Sequence, residues 1–324
     1  MQPIRRRVLA VLAGAILAPR VGWAQRLGGR PIRIVVPYPA GGPTDALARL
    51  IANELQVDLA ATVIVENKPG ASGAVGTREV ARADADGHTL VLGTNQTHVT
   101  NAVLLKDPGY RPREDFVAVA GLADLQHALV VPKGAPAKDV LGLVARAKAA
   151  PDQLNYGSSG VGSASHLAMA LLLARTGARM THVPFRGAAP MALEIVAGRI
   201  DCAFATLPSV LGQIEGGEML ALALGSLQRA PQLPALGLLT EAGIKDSEGD
   251  AWLALFAPRA TPADVVAKLS GVVTAAMRRP AVAAAATKLG MAVNVRDHMA
   301  FAAYLETETA KWLEVVRLAG VRAE

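Results

Sequence analysis

Two glycine- and serine-rich segments of the chain have the composition of anion-binding loops. The first runs from Pro37 to Asp45 (PYPAGGPTD) and the second from Tyr156 to His166 (YGSSGVGSASH), each between an apolar strand-like run and a helix-like segment. A helix N-terminus exposes unpaired backbone N–H groups and a positive dipole end, and glycine lets a ligand approach the backbone closely. Each loop therefore predicts a cradle for an anion. Facing each other across a cleft, the two loops would hold both ends of a small dicarboxylate.

Both loops also have a purely structural interpretation, as tight turns with a helix cap. Thr44 or Asp45 would then cap the first helix, and Ser163 the second. Asp45 is the only acidic residue in either loop, and it would either support its helix or face an amine of the ligand. The local sequence leaves both roles open. His166 and Arg186 are interpreted as hydrogen-bonded supporting groups.

The chain lacks the common catalytic motifs. It contains neither a G-x-S-x-G elbow nor a complete dinucleotide or P-loop fingerprint. A nucleophilic set of Ser158, His166 and Asp45 is conceivable in space but has no motif support. The six histidines have no metal-ligand spacing, and the single cysteine, Cys202, lies in an apolar run that predicts a core position. We therefore expect no cofactor and no metal site.

The two loops lie within an alternation of strand-like and helix-like segments, which predicts an α/β fold with parallel strands. In such sheets ligands bind beyond the carboxyl ends of the strands, where both loops fall. The strand-like runs form two successive series, the second starting near His127. The helical segments 263–279 and 298–318 offer no sheet of their own, and we expect them to pack back on the first series.

This return makes the first domain discontinuous. The expected domains are residues 25–125 together with 250–324, and residues 126–249. Two chain crossings would join them, one near Leu122–Val130 and one within Ala221–Ala257.

Composition excludes several classes of protein. The 324 residues are 52% hydrophobic and only 4% aromatic, which is typical of a globular protein and atypical of a disordered one. Of the net charge of +6, four positive charges come from Arg5, Arg6, Arg7 and Arg20, so the rest of the chain carries +2. Without a basic run or stacking aromatics, we expect no nucleic-acid partner.

The first 24 residues have the pattern of a secretory signal peptide. Arg5–Arg7 precede the apolar run VLAVLAGAILA, and small residues at Gly22 and Ala24 fit a cleavage site near Ala24. The run is too short to span a membrane. A twin-arginine signal would also fit the basic residues, so the export route stays open.

At this point the sequence resembles a known family, the Bug-type receptors, which are the extracytoplasmic solute-binding proteins of tripartite tricarboxylate transporters. The resemblance covers nearly the whole chain after the leader. It lies in seven segments: IRIVVPYPAGGPTDALARL, VIVENKPGASGAVGTREVARADADGHTL, GTNQTHVTN, DFVAVAGLA, LNYGSSGVGSASHLAM, THVPFRGAAPMALEIVAGRID and WLALFAPRATPADVVAKL.

The resemblance implies a type II periplasmic-binding-protein fold, in which two α/β domains close on a ligand without catalysis. It also implies that backbone amides and bridging waters of the two loops, rather than an arginine clamp, hold the ligand carboxylates. The ligand-binding residues that it implies are Tyr38, Ala40, Gly41, Gly42, Thr44, Asp45, Ser158, Ser159, Gly162 and Ser163, with Thr94, Asn95 and Thr206 from neighbouring strand ends.

The function that the resemblance implies is capture of a small organic anion, a carboxylate or an acidic amino acid, in the periplasm. The partners would be the membrane permease subunits of the transporter, and we expect a monomer. Two alternatives remain: a periplasmic enzyme such as a hydrolase in the same cleft, and a ligand sensor for a signalling partner.

Overall fold

The computed structural model describes residues 29–245 and 247–321, so the predicted leader lies outside the described residues. The fold consists of two β-sheets covered by helices. The strands are β1 Ile32–Val36, β2 Val63–Asn67, β3 Thr89–Thr94, β4 Phe116–Leu125, β5 His127–Pro132, β6 Asn155–Ser158, β7 Thr181–Pro184, β8 Cys202–Thr206, β9 Met219–Leu224, β10 Ala251–Pro258 and β11 Ala292–Arg296. The helices are α1 Pro43–Leu59, α2 Ala74–Ala81, α3 Asn101–Leu104, α4 Val140–Ala149, α5 Ala164–Thr176, α6 Ala188–Val196, α7 Leu207–Glu215, α8 Ala263–Met277, α9 Pro280–Lys288 and α10 His298–Ala319.

Two short helical turns complete the list, a 3₁₀ turn at Ala71–Gly73 and a π-helix at Gln96–Thr100. Among the described helices, none combines the length and apolarity needed to cross a bilayer.

The two sheets are mixed rather than purely parallel. The first has the strand order β11-β4-β10-β3-β1-β2 and the second β7-β6-β8-β5-β9. Strands β1, β2 and β3 pair in parallel, and so do β6, β7 and β8. In contrast, β10 is antiparallel to β3 and β4, β11 is antiparallel to β4, and β5 is antiparallel to β8 and β9. The prediction of parallel strands is therefore wrong at these positions, because β5 and β10 are the strands by which the chain enters one sheet from the other.

We call the first sheet with α1–α3 and α8–α10 the first lobe, and the second sheet with α4–α7 the second lobe. The chain leaves the first lobe at Gln126, the single residue between β4 and β5, and returns between β9 and β10. Only these two connections join the lobes within the described chain. A fold joined in this way places the cleft between the two sheets.

Helix α5 packs against both lobes. Leu167 and Leu171 belong to the core of the first lobe, whereas Met169 and Leu172 belong to the core of the second. Helix α10 contacts α5 on the side of the first lobe. This double packing explains why α5 is buried on nearly all sides up to Leu172.

Cys202 is fully buried in β8, as predicted. Strand β11 was not predicted, because its five residues are all half-buried and show no clear alternation. It is held at the sheet edge in part by Asn294, whose Nδ2 donates to Asp124 Oδ2 at 2.6 Å.

A carboxyl group lies where the chain crosses between the lobes. Asp250 Oδ2 accepts a hydrogen bond from Ser226 Oγ at 2.5 Å, and Oδ1 accepts one from the backbone N–H of His127 at 3.4 Å. Burial, reinforced by the nearby Asp124, raises the pKa of Asp250 to about 7 despite these two hydrogen bonds and Lys311. The start of β5, the segment just after β9 and the residue before β10 therefore meet at one titratable group.

This arrangement predicts that Asp250 makes the folded protein less stable as the pH rises. A carboxyl whose folded pKa lies above its unfolded value binds its proton more tightly in the folded state, so stability falls between pH 4 and about 7. Asp250→Asn should remove this loss and gain on the order of 1–2 kcal/mol relative to the wild type between pH 5 and pH 8. Urea unfolding of both proteins across this range measures the difference.

Asp264→Asn, at an exposed position in the first turn of α8, is the matched control. Parallel pH profiles for the wild type and Asp250→Asn would contradict the prediction.

Candidate functional site

Four helices begin at a single pocket between the lobes. Its lining includes the N-terminal residues of α1 from the first lobe and those of α5, α6 and α7 from the second lobe. The pocket encloses about 640 Å³ of space, including open solvent at its mouth. An added Cβ on Gly187 would lie 3.6 Å from Pro39 Cδ, so the segment before α6 faces the first loop across the cleft.

Three of these helices start without a side-chain cap. In the described structure, no side chain accepts a hydrogen bond from the first turn of α1, α6 or α7, whose N-cap residues are Gly42, Gly187 and Thr206. The hydroxyl of Thr206 lies 2.7 Å from Ser209 Oγ instead. Backbone N–H groups at the starts of α1 and α6 are thus available to a ligand, whereas at α7 the N–H of Leu207 donates to the carbonyl of Gln126 at 2.8 Å and Pro208 has no N–H. Each of the three starts carries a partial positive charge.

Of the two predicted helix caps, one is confirmed and the other is wrong. Ser163 caps α5 as predicted, with its Oγ accepting from the N–H of His166 at 3.3 Å. The prediction that Thr44 or Asp45 caps α1 is wrong, since the N-cap is Gly42 and Pro43 follows it. Proline has no N–H, so its position at the helix start removes one donor that a cap would otherwise satisfy.

Asp45 stabilises the first loop and does not face the pocket. Its Oδ2 accepts from the N–H of Gly41 at 3.0 Å, and its Oδ1 lies 2.9 Å from Arg49 Nη2. Burial would raise the pKa of Asp45, but the hydrogen bonds from Arg49, Gly41 and Asn67 outweigh it and hold the pKa below its usual value. Asp45 is not among the residues that line the pocket.

Tyr38 forms a wall of the pocket and is fixed at its hydroxyl. Its Oη lies 2.8 Å from Thr94 Oγ1 and donates to Gln96 Oε1 at 3.0 Å. Burial raises the pKa of Tyr38, so the phenol stays protonated and neutral.

The second loop is hydrogen-bonded largely to itself. The N–H groups of Ser159 and Gly160 donate to Ser165 Oγ and Ser158 Oγ, and that of Gly162 donates to His166 Nδ1 at 3.1 Å. These amides are therefore engaged within the loop. What this segment offers to the pocket is Ser159, Ser163 and the start of α5.

Two stacked imidazoles support this loop from behind. The rings of His166 and His182 lie 3.9 Å apart at 5° to each other, and His182 Nε2 lies 2.7 Å from Ser158 Oγ. Burial lowers the pKa of His166 to about 3 and that of His182 to about 4, so both rings are neutral near pH 7. The supporting role expected of His166 agrees with these contacts.

The conceivable nucleophilic set is not assembled. Ser158 pairs with His182 rather than His166, and Asp45 pairs with Arg49. Ser158 is also fully buried and does not line the pocket.

Most of the predicted site residues come together at the pocket. Those that line it are Tyr38, Ala40, Gly42, Thr44, Thr94, Asn95, Ser159, Ser163 and Thr206. Those that do not line it, and instead support the loops, are Gly41, Asp45, Ser158 and Gly162.

Several lining residues were not predicted, above all Gln96, His127 and the segment Gly187–Pro190, and Arg186 was not predicted to line the pocket. The loop before α6 also joins a strand end to a helix, and that position alone would have indicated it. The interpretation of Arg186 as a hydrogen-bonded supporting group is wrong, because Arg186 is exposed and no hydrogen bond or ion pair links it to another described residue. The described lining contains no acidic side chain, so this arginine adds to the positive potential of the helix starts.

Two buried polar atoms in the lining residues have no partner in the described structure, Asn95 Nδ2 and His127 Nδ1. Burial lowers the pKa of His127 to about 4, which leaves its ring neutral. Buried polar groups are normally hydrogen-bonded, and unpaired ones therefore point to a missing partner such as a ligand or water.

The chain matches known proteins along most of its length. The family model described as "Tripartite tricarboxylate transporter family receptor" matches residues 47–321. A solved structure of Rpa4515 from R. palustris with adipate is 33% identical and has a TM-score of 0.88, with coverage of 92% of this chain and 99% of that one. MatC from Rhodopseudomonas palustris with bound malate is 33% identical with a TM-score of 0.84, covering 89% of this chain and 99% of that one.

A third structure, of the periplasmic binding protein BugD, is 32% identical with a TM-score of 0.84 and covers 91% of this chain and 99% of that one. These likenesses confirm both the predicted family and the predicted fold, two α/β domains with a cleft between them. The chain belongs to the tripartite tricarboxylate transporter family of receptors, which includes the Bug-type solute-binding proteins.

Proposed function

We propose that the protein captures a small carboxylate in its cleft, in the periplasm, and delivers it to the membrane permease of a tripartite tricarboxylate transporter. The observation that carries this proposal is the convergence of four helix N-termini on a pocket whose described lining has no acidic side chain. At about +0.5 elementary charge each, the four helix starts supply about +2, which matches an ionised dicarboxylate. The adipate and malate bound by two related proteins support a ligand of this class.

The remaining parts of the proposal follow from the chain itself. The leader pattern of residues 1–24 supports export with cleavage near Ala24, and the periplasmic description of BugD agrees with it. The proposed domains are 25–125 with 250–324, and 126–249, consistent with the crossings at Gln126 and between β9 and β10. We propose a monomer that releases its ligand unchanged.

The hydrolase alternative has little support in the pocket. The described serine closest to a histidine base is Ser158, 2.7 Å from His182, and it is buried outside the lining. A sensor for a signalling partner would use the same pocket and differ only in its partner.

A ligand panel tests the proposal directly. Succinate, malate, adipate, citrate, aspartate and acetate should give a selective rise in melting temperature, because a ligand that binds only the folded state stabilises it by about 2.7 kcal/mol at 100 times its Kd. Mass spectrometry of the recovered ligand should show it unchanged. A flat panel, or turnover of a member, would contradict the proposal.

Arg186 should strengthen the binding of dianions. Arg186→Gln removes the positive charge at the pocket and should weaken succinate binding about fivefold at low ionic strength, with a smaller effect at 0.5 M salt. Acetate, with one charge, should lose less. Isothermal titration at both salt concentrations measures the effect.

The matched control is Arg146→Gln, an exposed arginine of α4 outside the pocket lining that changes the net charge equally. An equal loss in both variants would assign the effect to overall charge and exclude the specific role of Arg186.

Asp45 should affect all ligands alike. Because its carboxylate bridges Gly41 and Arg49 and does not line the pocket, Asp45→Asn should weaken aspartate and succinate by the same factor, about two- to fivefold. Titration of both proteins with both ligands gives the comparison. A loss confined to aspartate would instead show that Asp45 recognises the ligand amine.

A further inference from the structure

Three side chains of the first lobe donate hydrogen bonds directly to the backbone of the second loop. Gln96 Nε2 donates to the carbonyl of Val161 at 2.8 Å, and Ser72 Oγ donates to the same oxygen at 3.2 Å. Thr100 Oγ1 donates to the carbonyl of Gly162 at 2.7 Å. These contacts join the two lobes beside the ligand pocket, and every partner is a group of the chain itself.

The second loop is shaped to present these two carbonyls. Gly162 has a φ of +74°, which favours glycine, and a Cβ added there would lie 2.9 Å from Leu104 Cδ1 in the first lobe. Its N–H is engaged by His166 Nδ1, so the hydrogen bonds on both sides of Gly162 fix its position. The close approach of the lobes therefore depends on a glycine and on the supporting histidine.

The donors lie in irregular backbone of the first lobe. Gln96 and Thr100 are the ends of the π-helix, and Ser72 has a φ of 54° within the 3₁₀ turn. The turn is held by Asn101 Nδ2, which donates to the carbonyl of Ser72 at 3.0 Å. Strained or irregular backbone of this kind persists where surrounding contacts enforce it, often at ligand clamps.

Both ends of the Gln96 amide take part in such contacts. Its Oε1 accepts from Tyr38 Oη at 3.0 Å while its Nε2 donates to Val161. Gln96 lines the pocket, and its amide connects the first loop to the second loop.

We propose that Ser72, Gln96 and Thr100 are positioning residues that hold the lobes together through Val161 and Gly162, and so set the affinity for carboxylates without binding them. This inference rests on the proposed function only for its link to affinity. Because the bonds need no ligand, they populate the closed geometry in the free protein. The apparent Kd is the intrinsic Kd divided by the closed fraction, so weakening these contacts weakens binding.

The test uses the double variant Gln96→Met with Thr100→Val, which preserves side-chain size while removing two donors. Spin labels at Val57→Cys in α1 and Leu141→Cys in α4, which are 78% and 58% exposed, report the distance between the lobes. The native Cys202 is fully buried and stays unlabelled. The control is Thr274→Val, whose buried hydroxyl donates to Ser270 at 2.8 Å within the first lobe.

Without ligand, we expect the wild type and the control to show a population with a short distance between the labels. In the double variant, the ratio of the short-distance to the long-distance population should be about tenfold lower than in the wild type. Saturating malate should restore the short distance in all three. The Kd for malate should rise in the double variant in proportion to the fall in the closed fraction, by at most about tenfold and mainly through faster dissociation.

Identical ligand-free distributions in the wild type and the double variant would overturn the inference, as would a wild type that is fully open without ligand. The distance measurement is independent of ligand identity. A chain that closes through these residues but binds no member of the panel would support the inference and count against the proposed carboxylate function.

Discussion

A helix that begins inside a half-enclosed pocket without a side-chain cap has backbone N–H groups that still need an acceptor. Helices α1 and α6 begin in this way, whereas the first N–H of α7 already donates to the carbonyl of Gln126. When the lobes are apart, water can serve as the acceptor. In the proposed ligand-bound state, an anion satisfies the same donors and the helix dipoles together. The lack of acidic side chains in the described lining follows from the same requirement.

The two loops meet this requirement in different ways. The first loop is tied down through Asp45 and Arg49, and its helix start is left open by Gly42 and Pro43. The second uses hydroxyls and imidazoles to satisfy its own amides, which leaves its carbonyls to face the opposite lobe. A loop that is internally hydrogen-bonded does not need to reorganise when a ligand arrives, so less ordering entropy opposes binding.

Much of the fold and part of the site could be predicted from the sequence, because glycine-rich strand-to-helix loops and apolar periodicity are local signals. The Ser163 cap was found in this way, whereas Tyr38 was implied by the family resemblance. Gln96 was missed and Arg186 was given the wrong role, because their importance depends on which elements meet across the cleft, and no local pattern records that. The hydroxyl of Ser158 illustrates a related limit: the family resemblance implied a ligand contact, but the hydroxyl lies 2.7 Å from His182 Nε2 behind the loop. The antiparallel direction of β5 and β10 could not be predicted from local sequence either, because it is determined by where the chain crosses between the lobes.

The position of β10 in the middle of the first sheet also governs the order in which the protein can fold. Strands β3 and β4 are adjacent to β10 and not to each other, so the first sheet remains divided until residues 251–258 are available. The second sheet, in contrast, is built from the continuous segment 127–224. A chain that emerges N-terminus first can therefore complete its second lobe while the first still exposes apolar strand edges, a state prone to aggregation. The long sequence separation of the β3–β10 contacts slows this last step, and the unpaired strand edges stay exposed until it is complete.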